Sequence, residues 1–188
     1  ALMRALDGRP GVSLRFGTGF ADMVQRDNEV IARLTDGSRV RAKLVLGMDG
    51  RASTVRQAAG IGVDITRYGQ TALAFTVSHP IPHGNVSTEI YNVGGPFTMV
   101  PLPDVNGTPA SAIVWMNPSA EAKRIAALPE AEIATLASER SCYSFGPLTL
   151  LSGLRPWPIV SQKATALTAQ RTAILAEAAH VVPPIGAQ

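Results

Sequence analysis

The chain has 188 residues, 46% of them hydrophobic and 16% charged, and this composition excludes a disordered or collagen-like protein. No apolar run approaches the roughly 18 residues that span a bilayer, and the single cysteine, Cys142, excludes an intrachain disulfide, so we expect a cytoplasmic protein. The net charge of +3 reflects dispersed arginines rather than a basic run, so nucleic acid is not an expected partner.

The first third of the chain predicts a helix end followed by short strands. Residues 2–6 are typical of the end of a helix that stops at Gly8 and Pro10. Apolar alternation with turn residues between the runs predicts strands at 12–16, 20–25, 30–34 and 44–46.

The middle of the chain predicts longer strands and then two helices. Strands are expected at 72–77, 86–91, 97–102 and 112–116, with a turn at Asp104–Gly107 between the last two. Asn117 can cap a first helix, and Pro129 can open a second one whose acidic residues come early and whose Arg140 comes late. Segments 148–151 and 158–166 then return the chain toward the region where it started.

One strong motif lies at residues 43–56, where an apolar strand enters a carboxylate–glycine turn. Its form is G-x-D-G-x-x-S-x-V-R, matched by Gly47, Asp49, Gly50, Ser53, Val55 and Arg56. Ser53 stands where it can cap a following helix.

A second motif lies at residues 173–186. The apolar run at 173–176 predicts a strand buried on both faces, and Glu177 puts a carboxylate at its end, where an α/β sheet usually meets its ligand. Pro183, Pro184 and Gly186 then fix a backbone path whose N–H groups suit a ring cofactor or a phosphate. From the residues alone, an ordinary strand, a proline-rich loop and a surface glutamate explain this segment equally well.

Together the two segments resemble two of the three fingerprints of the class A flavoprotein aromatic hydroxylases, which have the para-hydroxybenzoate hydroxylase fold. The later family motif, G-D-A-A-H-x-x-x-P-x-x-G, is matched at Ala178, Ala179, His180, Pro184 and Gly186, but Ala176-Glu177 stands in place of Gly-Asp. About 125 residues separate the motifs, the distance that a substrate-binding insertion would occupy in this fold. Segments 89–103 and 157–162 resemble the hydroxylases of ubiquinone biosynthesis.

The third fingerprint, a G-x-G-x-x-G on a first strand, is not matched, because Gly17-Thr18-Gly19 lacks the third glycine. We therefore expect the middle portion of such a hydroxylase, with a mixed α+β and α/β fold. A partial FAD-binding domain is expected at residues 1–62. A mostly antiparallel β-sheet substrate domain with covering helices is expected at 63–168, and a return to the FAD-binding domain at 169–188.

The resemblance implies that the first motif binds the cofactor through Asp49, Gly50 and Arg56. Asp49 would orient the dinucleotide side of the site, with Arg56 as a partner for a phosphate or for Asp49 itself. On the residues alone, Asp49 can equally be a turn former and Arg56 a solvated helix residue.

The second motif is implied to bind FAD through Glu177, Pro183, Pro184 and Gly186. Glu177 would hydrogen-bond a ribityl hydroxyl, the prolines would lie beside the flavin ring, and the N–H groups from Gly186 would face its pyrimidine edge. His180 is more typical of a residue that pins the local backbone than of a general base.

Phe97, Met99 and Pro101 are the residues that we expect to face substrate, although aromatic side chains on strands are more often core. No residue is assigned a catalytic role, since the flavin carries the chemistry and the protein positions and shields it. No metal site is expected, because His79 and His83 have no further ligands near them in the sequence.

The function implied is that of an FAD-dependent, NAD(P)H-using monooxygenase that hydroxylates an aromatic or prenylated phenol, such as a ubiquinone precursor. Association with the periphery of the inner membrane, or with a ubiquinone-biosynthesis complex, is a further expectation. The isolated chain is expected to be inactive and to hold FAD weakly or not at all, because the phosphate-binding glycines are not matched. Two alternatives stay open: another flavin enzyme of this fold, such as a halogenase or a prenyl-lipid reductase, and a sheet domain that binds a substrate or partner without flavin.

Overall fold

The computed structural model describes residues 2–92 and 94–183. Within these ranges the chain divides into two compact units. The first unit comprises residues 2–64 and 162–181, and the second comprises 65–161 with the adjoining 182–183. The domain roles expected from the sequence for these parts of the chain stay predictions.

Helices are few and strands are many. The helices are α1 (Leu2–Leu6), α2 (Thr54–Ala58), α3 (Ser119–Ala126) and α4 (Glu130–Arg140), with a short 3₁₀ helix at Ala176–Ala178. The strands are β1 (Phe20–Gln25), β2 (Val30–Leu34), β3 (Arg39–Ala42), β4 (Val45–Gly47), β5 (Val63–Ser78), β6 (Thr88–Asn92), β7 (Gly95–Val105), β8 (Thr108–Pro118), β9 (Thr149–Leu150), β10 (Arg155–Ala164), β11 (Thr168–Ala169), β12 (Thr172–Ile174) and β13 (His180–Val181).

Two three-stranded sheets build the first unit. In one, β1, β2 and β3 pair antiparallel in chain order. In the other, β12 lies between β11 and β4, antiparallel to β11 and parallel to β4. The end of β10 also belongs to this unit, where Gln162 and Lys163 pair with β13.

The strand predicted at 12–16 is wrong, since this segment forms neither helix nor strand. Its alternating apolar residues do not cover a core: Val12 is 43% exposed and Phe16 is 66% exposed. Alternation predicts a strand only where a neighbouring strand and a face to bury exist, and this segment pairs with no strand of the described chain.

The second unit is one large, mostly antiparallel sheet. Strands β5, β8, β7 and β6 pair antiparallel in that order, β10 lies beside β5, and β9 pairs with the end of β5. The β7–β8 hairpin turns at Asn106 and Gly107, whose φ angles of 51° and 75° suit a turn of left-handed residues. The predicted Asp104–Gly107 turn is therefore confirmed.

The core of the second unit lies between one face of this sheet and the two helices α3 and α4. Its largest buried sheet residues, on β5, β7 and β8, are Leu73, Phe75, Phe97, Met99, Ile113 and Trp115. Ile125 of α3 and Ile133 of α4 complete it from the helix side. Burial of apolar area of this kind is the main term that stabilises a folded domain. The predicted mostly antiparallel sheet with covering helices is confirmed.

The predicted caps of the two helices differ in detail. The residue before α3 is Pro118, which makes no side-chain capping bond, and Asn117 instead donates its side-chain N–H to the Trp115 carbonyl at 3.4 Å. Pro129 precedes α4 as expected. Asn117 belongs to the last part of β8, so its side chain is committed to the sheet before the helix begins.

None of the helices in the described part of the chain is long and apolar enough to cross a membrane.

Candidate functional site

The two sequence motifs meet as neighbouring parallel strands of the first unit. Thr172, Ala173 and Ile174 of β12 pair with Val45, Leu46 and Gly47 of β4. The ladder continues past the strands, because the Leu175 amide donates to the Gly47 carbonyl at 2.9 Å. Parallel strands end at the same sheet edge, so the segments that follow β4 and β12 lie together although about 125 residues separate them.

Gly47 is required by this packing. A Cβ on Gly47 would lie 2.9 Å from Val55 Cγ1 and 3.2 Å from Ile174 Cγ2. The first of these distances is shorter than any real contact of that kind, so β4, β12 and α2 approach each other only because the residue between them has no side chain. The first glycine of the motif therefore serves helix–strand packing.

Asp49 closes the N-terminus of α2. One carboxylate oxygen accepts from the Ser53 hydroxyl, and the other accepts from the Thr54 amide at 2.8 Å, the Thr54 hydroxyl at 3.0 Å and the Val55 amide at 3.1 Å. The Ser53 hydroxyl oxygen accepts in turn from the Arg56 amide at 3.0 Å. The first three amides of the helix are thus all satisfied by side chains of the motif itself.

This arrangement also sets the charge state of Asp49. Burial by itself raises the pKa of Asp49, but hydrogen bonds from Ser53, the Val55 amide and Thr54 outweigh it and hold the pKa below its usual value of 3.8. Asp49 is therefore a carboxylate at neutral pH, and it stands where an anionic phosphate would otherwise meet the helix N-terminus.

Gly50 supplies the turn between Asp49 and the helix. Its φ angle of 84° lies in the left-handed region, where a residue with a Cβ is strained. The Ser53 amide donates to the Gly50 carbonyl at 3.0 Å, which brings the capping serine into place.

Arg56 is a buried clamp rather than a solvated residue. Its side chain is only 4% exposed, and it donates to the Ala178 carbonyl at 2.9 Å and to the Arg51 carbonyl at 3.1 Å. It makes no hydrogen bond to Asp49 in the described structure. Arg56 therefore ties the helix of the first motif to the 3₁₀ helix of the second.

Glu177 stands at the carboxyl end of β12, within the 3₁₀ helix. Its side chain is exposed, and it makes no hydrogen bond or ion pair with any described residue. Ala176 before it has a φ angle of 51°, a left-handed conformation. The hydroxylase motif has glycine at this position, and glycine adopts such a conformation without strain.

The rest of the second motif is only partly described. Pro183 is half-buried and belongs to no helix or strand, and Pro184 and Gly186 lie outside the described residues. His180 is exposed in β13, opposite Lys163, and its ring takes part in no hydrogen bond of the described chain. The roles assigned to these residues stay predictions.

The three predicted substrate residues lie in the second unit on one face of β7. Phe97 and Met99 have no solvent exposure and belong to the core beneath the helices, and Pro101 is half-buried. Phe97 packs edge-on against Trp115, with ring centroids 5.6 Å apart. Burial places the first two in the core, and their contact with a substrate stays a prediction that this packing does not favour.

The sequence analysis did not consider the opposite face of the same sheet as a candidate substrate surface. This face, called the open face below, points away from the helix-covered core and carries the residues that alternate with the core residues. They are Thr98, Val100 and Leu102 of β7 with Ala112, Val114 and Met116 of β8. Apart from Thr98, which is buried, they are half-buried. The run at 97–102 is almost continuously apolar, so no alternation marked which set faces the core.

The comparisons with known proteins agree with this geometry. A family model described as "FAD binding domain" matches residues 1–188, and the chain belongs to this family. The resemblance to FAD-dependent hydroxylases that the two motifs indicated is thereby confirmed, and FAD is the cofactor of the family.

Two curated relatives and one solved structure illustrate the likeness. Ubiquinone hydroxylase UbiL of Rhodospirillum rubrum is 34% identical over 159 residues, which are 85% of this chain and 36% of that protein. The 3-demethoxyubiquinol 3-hydroxylase of Escherichia coli is 28% identical over 188 residues, which are 100% of this chain and 47% of that protein. The chain thus spans between a third and a half of the length of these relatives.

The solved structure is that of PqsL, a probable FAD-dependent monooxygenase from Pseudomonas aeruginosa. It matches with a TM-score of 0.80 at 24% identity, over 100% of this chain and 53% of that chain. At this identity the likeness shows the fold, and the predicted fold class is confirmed.

Proposed function

We propose that the whole protein containing this chain is an FAD-dependent monooxygenase that uses NAD(P)H and hydroxylates an aromatic ring. The family supports the cofactor. The names of the two curated relatives, a ubiquinone hydroxylase and a demethoxyubiquinol hydroxylase, support a phenolic ubiquinone precursor as the substrate. The structural observation that carries the proposal is the parallel pairing of β4 and β12, which brings both motifs to one sheet edge.

The residues at this edge fit the cofactor unequally. Glu177 is exposed, ionisable and unpaired among the described residues, so it can accept a hydrogen bond from a ribityl hydroxyl. Asp49 and Arg56 are already occupied by backbone and hydroxyl groups of the chain. We therefore propose that Glu177 contacts FAD directly, while Asp49, Gly50 and Arg56 shape the backbone around it.

FAD, when bound, supplies the redox chemistry, in which electrons from NAD(P)H activate molecular oxygen. The residues of the chain bind and orient the cofactor and the substrate, and they exclude water from the site. The amides of α2 do not take part in holding a phosphate on this view, because Asp49 and Ser53 already satisfy them.

For the substrate, we propose contact with the open face of the large sheet rather than with the helix-covered face. Val100, Leu102, Val114 and Met116 give it an apolar, half-buried surface that suits an aromatic ring or a prenyl chain. Thr98 adds a hydroxyl, which donates to Glu89 at 3.4 Å.

Peripheral association with the inner membrane, or with a ubiquinone-biosynthesis complex, extends the proposal because polyprenylated precursors are lipids. Flotation of the whole protein with liposomes tests it: we expect a fraction of the protein to float, and complete recovery from the soluble fraction would contradict it.

The cofactor assignment is tested in the whole protein by comparing Glu177→Ala with His180→Ala. Both side chains are exposed and lie three residues apart, so either change should leave the fold intact. We expect Glu177→Ala to lower the FAD content after gel filtration, measured by flavin absorbance against protein, while His180→Ala retains it. Equal retention in both variants would show that Glu177 does not hold the flavin.

The reaction is tested by NAD(P)H oxidation with phenolic substrates, together with mass spectrometry of the product. Oxidation stimulated by a phenol, with one oxygen atom added to it, is the expected result. A whole protein that purifies without flavin and cannot be reconstituted would instead favour a binding domain that keeps the motifs for packing alone.

A further inference from the structure

The rim of the open face of the large sheet carries a carboxylate. Glu89 of β6 pairs directly with Thr98 of β7, and residues that face each other across two antiparallel strands point to the same side of a sheet. Glu89 therefore lies on the side of Thr98 and Val100, away from the helix-covered core. Strand β6 is the last in the strand order of this sheet, so Glu89 lies at the edge of the open face.

The surface beside Glu89 has no charge of its own. In the paired parts of β5, β7 and β8, every residue on this side of the sheet is uncharged, and most of them are apolar. A half-buried carboxylate on such a surface loses part of its hydration, and this loss is costly unless hydrogen-bond donors replace the water. The donors available to Glu89 therefore indicate what this edge of the face can bind.

Two hydroxyl groups of the chain donate to Glu89, and one of them is a phenol. The Thr98 hydroxyl donates at 3.4 Å, which is long for a bond between two oxygens. The side-chain hydrogen bond to Glu89 raises the pKa of Tyr91 above its usual value of 10, with desolvation and the charge of Glu89 acting in the same sense. Glu89 is thus already an acceptor for a phenolic hydroxyl. Because Tyr91 is 71% exposed, water can replace this bond at little cost.

Glu89 also has capacity for a further donor. A carboxylate can accept about four hydrogen bonds, and none of the ion pairs within the described chain includes Glu89. Glu89 and Val100 are both half-buried rather than enclosed, and they are diagonal neighbours on one face, about 7 to 8 Å apart. An aromatic ring that lies on Val100 can therefore bring a hydroxyl group to the carboxylate.

We propose that Glu89 determines specificity in the substrate site: its carboxylate accepts the phenolic hydroxyl of the substrate in place of Tyr91, while the ring lies on Val100. This inference rests on the proposed function, which puts the substrate on the open face, and it adds the polar contact that orients the ring. An ionised carboxylate has only acceptor atoms, so it selects a free phenol over a phenol ether, which has no O–H group.

The experiment compares 4-methylphenol with its methyl ether, 4-methylanisole, by calorimetry on the whole protein. We expect the phenol to bind at least about tenfold more tightly, because only the phenol can donate to Glu89. Glu89→Met keeps the unbranched side chain but removes the acceptor. This variant should bind the phenol about tenfold more weakly and the ether within about twofold of the natural protein. If Glu89 only supported the sheet, both ligands would weaken together.

Two further variants sharpen the comparison. Tyr91→Phe removes the phenol that competes for Glu89, and it should tighten binding of 4-methylphenol by about twofold without changing the binding of 4-methylanisole. Glu130→Met is the matched control, since Glu130 is an exposed carboxylate at the start of α4 on the helix-covered side of the sheet. It should leave the affinities for both ligands unchanged.

The assignment of Glu89 is overturned if the natural protein binds phenol and ether equally, or if Glu89→Met keeps the preference for the phenol. Should Glu89→Met fail to fold, Glu89→Gln decides, because it keeps the size but leaves a neutral acceptor and should lower the preference by about threefold. Calorimetry needs no turnover, so the two proposals can fail separately. Hydroxylation of phenols without this preference would contradict the role of Glu89 alone. A preference that depends on Glu89, in a protein that adds no oxygen, would contradict the proposed reaction alone.

Discussion

Each of the two units is stabilised internally by a different kind of interaction. In the second unit, apolar side chains of a large sheet pack beneath two helices, with Phe97, Met99 and Ile113 essentially without solvent exposure. In the first unit, the crossing of β4, β12 and α2 depends on polar side chains bonded to backbone, chiefly Asp49 and Arg56. Apolar burial tolerates exchange between similar side chains, whereas a backbone clamp depends on one donor reaching one carbonyl.

The difference teaches how the cofactor motif should be understood. Gly47, Asp49 and Arg56 fix local geometry, whereas the exposed Glu177 side chain makes no hydrogen bond with any described residue and is the one that we propose as a cofactor contact. A fingerprint can therefore mark a cofactor site although most of its residues act on the backbone that surrounds the ligand.

The largest effect is expected in the apolar core. Phe97→Ala should destabilise the protein by about 3 to 5 kcal/mol, because a fully buried ring is lost and a cavity remains. Urea unfolding followed by circular dichroism measures the change.

Val100→Ala provides the contrast for the same strand, since Val100 is half-buried on the opposite face. We expect a smaller loss of stability, about 1 kcal/mol, together with a change in KM for the phenolic substrate of the whole protein. A Phe97→Ala variant that keeps its stability but loses substrate affinity would reverse our assignment of the two faces.

The next effect tests the polar clamp of the first unit. Arg56→Met keeps the apolar stem but leaves the Ala178 carbonyl without its side-chain donor and the Arg51 carbonyl with only the Gln162 amide, and we expect a loss of about 2 to 3 kcal/mol. Arg41→Met is the control, because Arg41 is 68% exposed in its pair with Glu29 and should change stability by less than about 0.5 kcal/mol. Equal effects of the two variants would mean that the buried hydrogen bonds of Arg56 add nothing to the free energy of unfolding.

A smaller effect, with a pH signature, is expected at Asp49. Asp49→Ala should cost about 1 to 2 kcal/mol, since four groups at the start of α2 lose their acceptor. Because the pKa of Asp49 is lowered in the folded protein, its stabilisation is complete above 3.8 and is lost as the pH falls through the folded pKa.

Asp49→Asn isolates this titration from the other carboxylates. The stability difference between the natural protein and Asp49→Asn, measured by urea unfolding at several pH values, should shrink below about pH 4. A difference that is constant from pH 3 to pH 7 would contradict the lowered pKa.

The features of the fold that could be predicted from the sequence are those set by residues close together in the chain. The motifs, the hairpin turn at Asn106 and the two covering helices depend on local residue patterns, and these were predicted. The strand at 12–16 was not, because its alternation has no partner strand. Which side chains of β7 enter the core could not be predicted either, because both faces of the strand are apolar.

The site shows the same limit. That the two motifs lie together could be inferred from the family resemblance, but the carbonyl of Ala178 as the partner of Arg56 could not, since a backbone acceptor has no sequence signature. That Glu89 shares the open face with Val100 depends on the register of β6 with β7, which no residue pattern in the sequence signals.

The smallest effect concerns the departure of this chain from the hydroxylase motif, Ala176 in place of glycine. Ala176 is exposed and has a φ of 51°, where a residue with a Cβ is strained by about 1 to 2 kcal/mol. Glycine removes that strain but adds about 0.5 to 1 kcal/mol of unfolded-state entropy. We therefore expect Ala176→Gly to stabilise the protein by less than about 1 kcal/mol, measured by urea unfolding.

The reverse change at a matched position measures the strain directly. Gly60 has a φ of 70°, and a Cβ there would meet no atom within 4 Å, so Gly60→Ala adds only the backbone penalty. If Gly60→Ala destabilises while Ala176→Gly stabilises, the turn before Glu177 is a glycine conformation that this chain adopts at a cost. If Ala176→Gly instead destabilises, the backbone of Ala176 is not strained, and alanine at this motif position does not lower the stability of the protein.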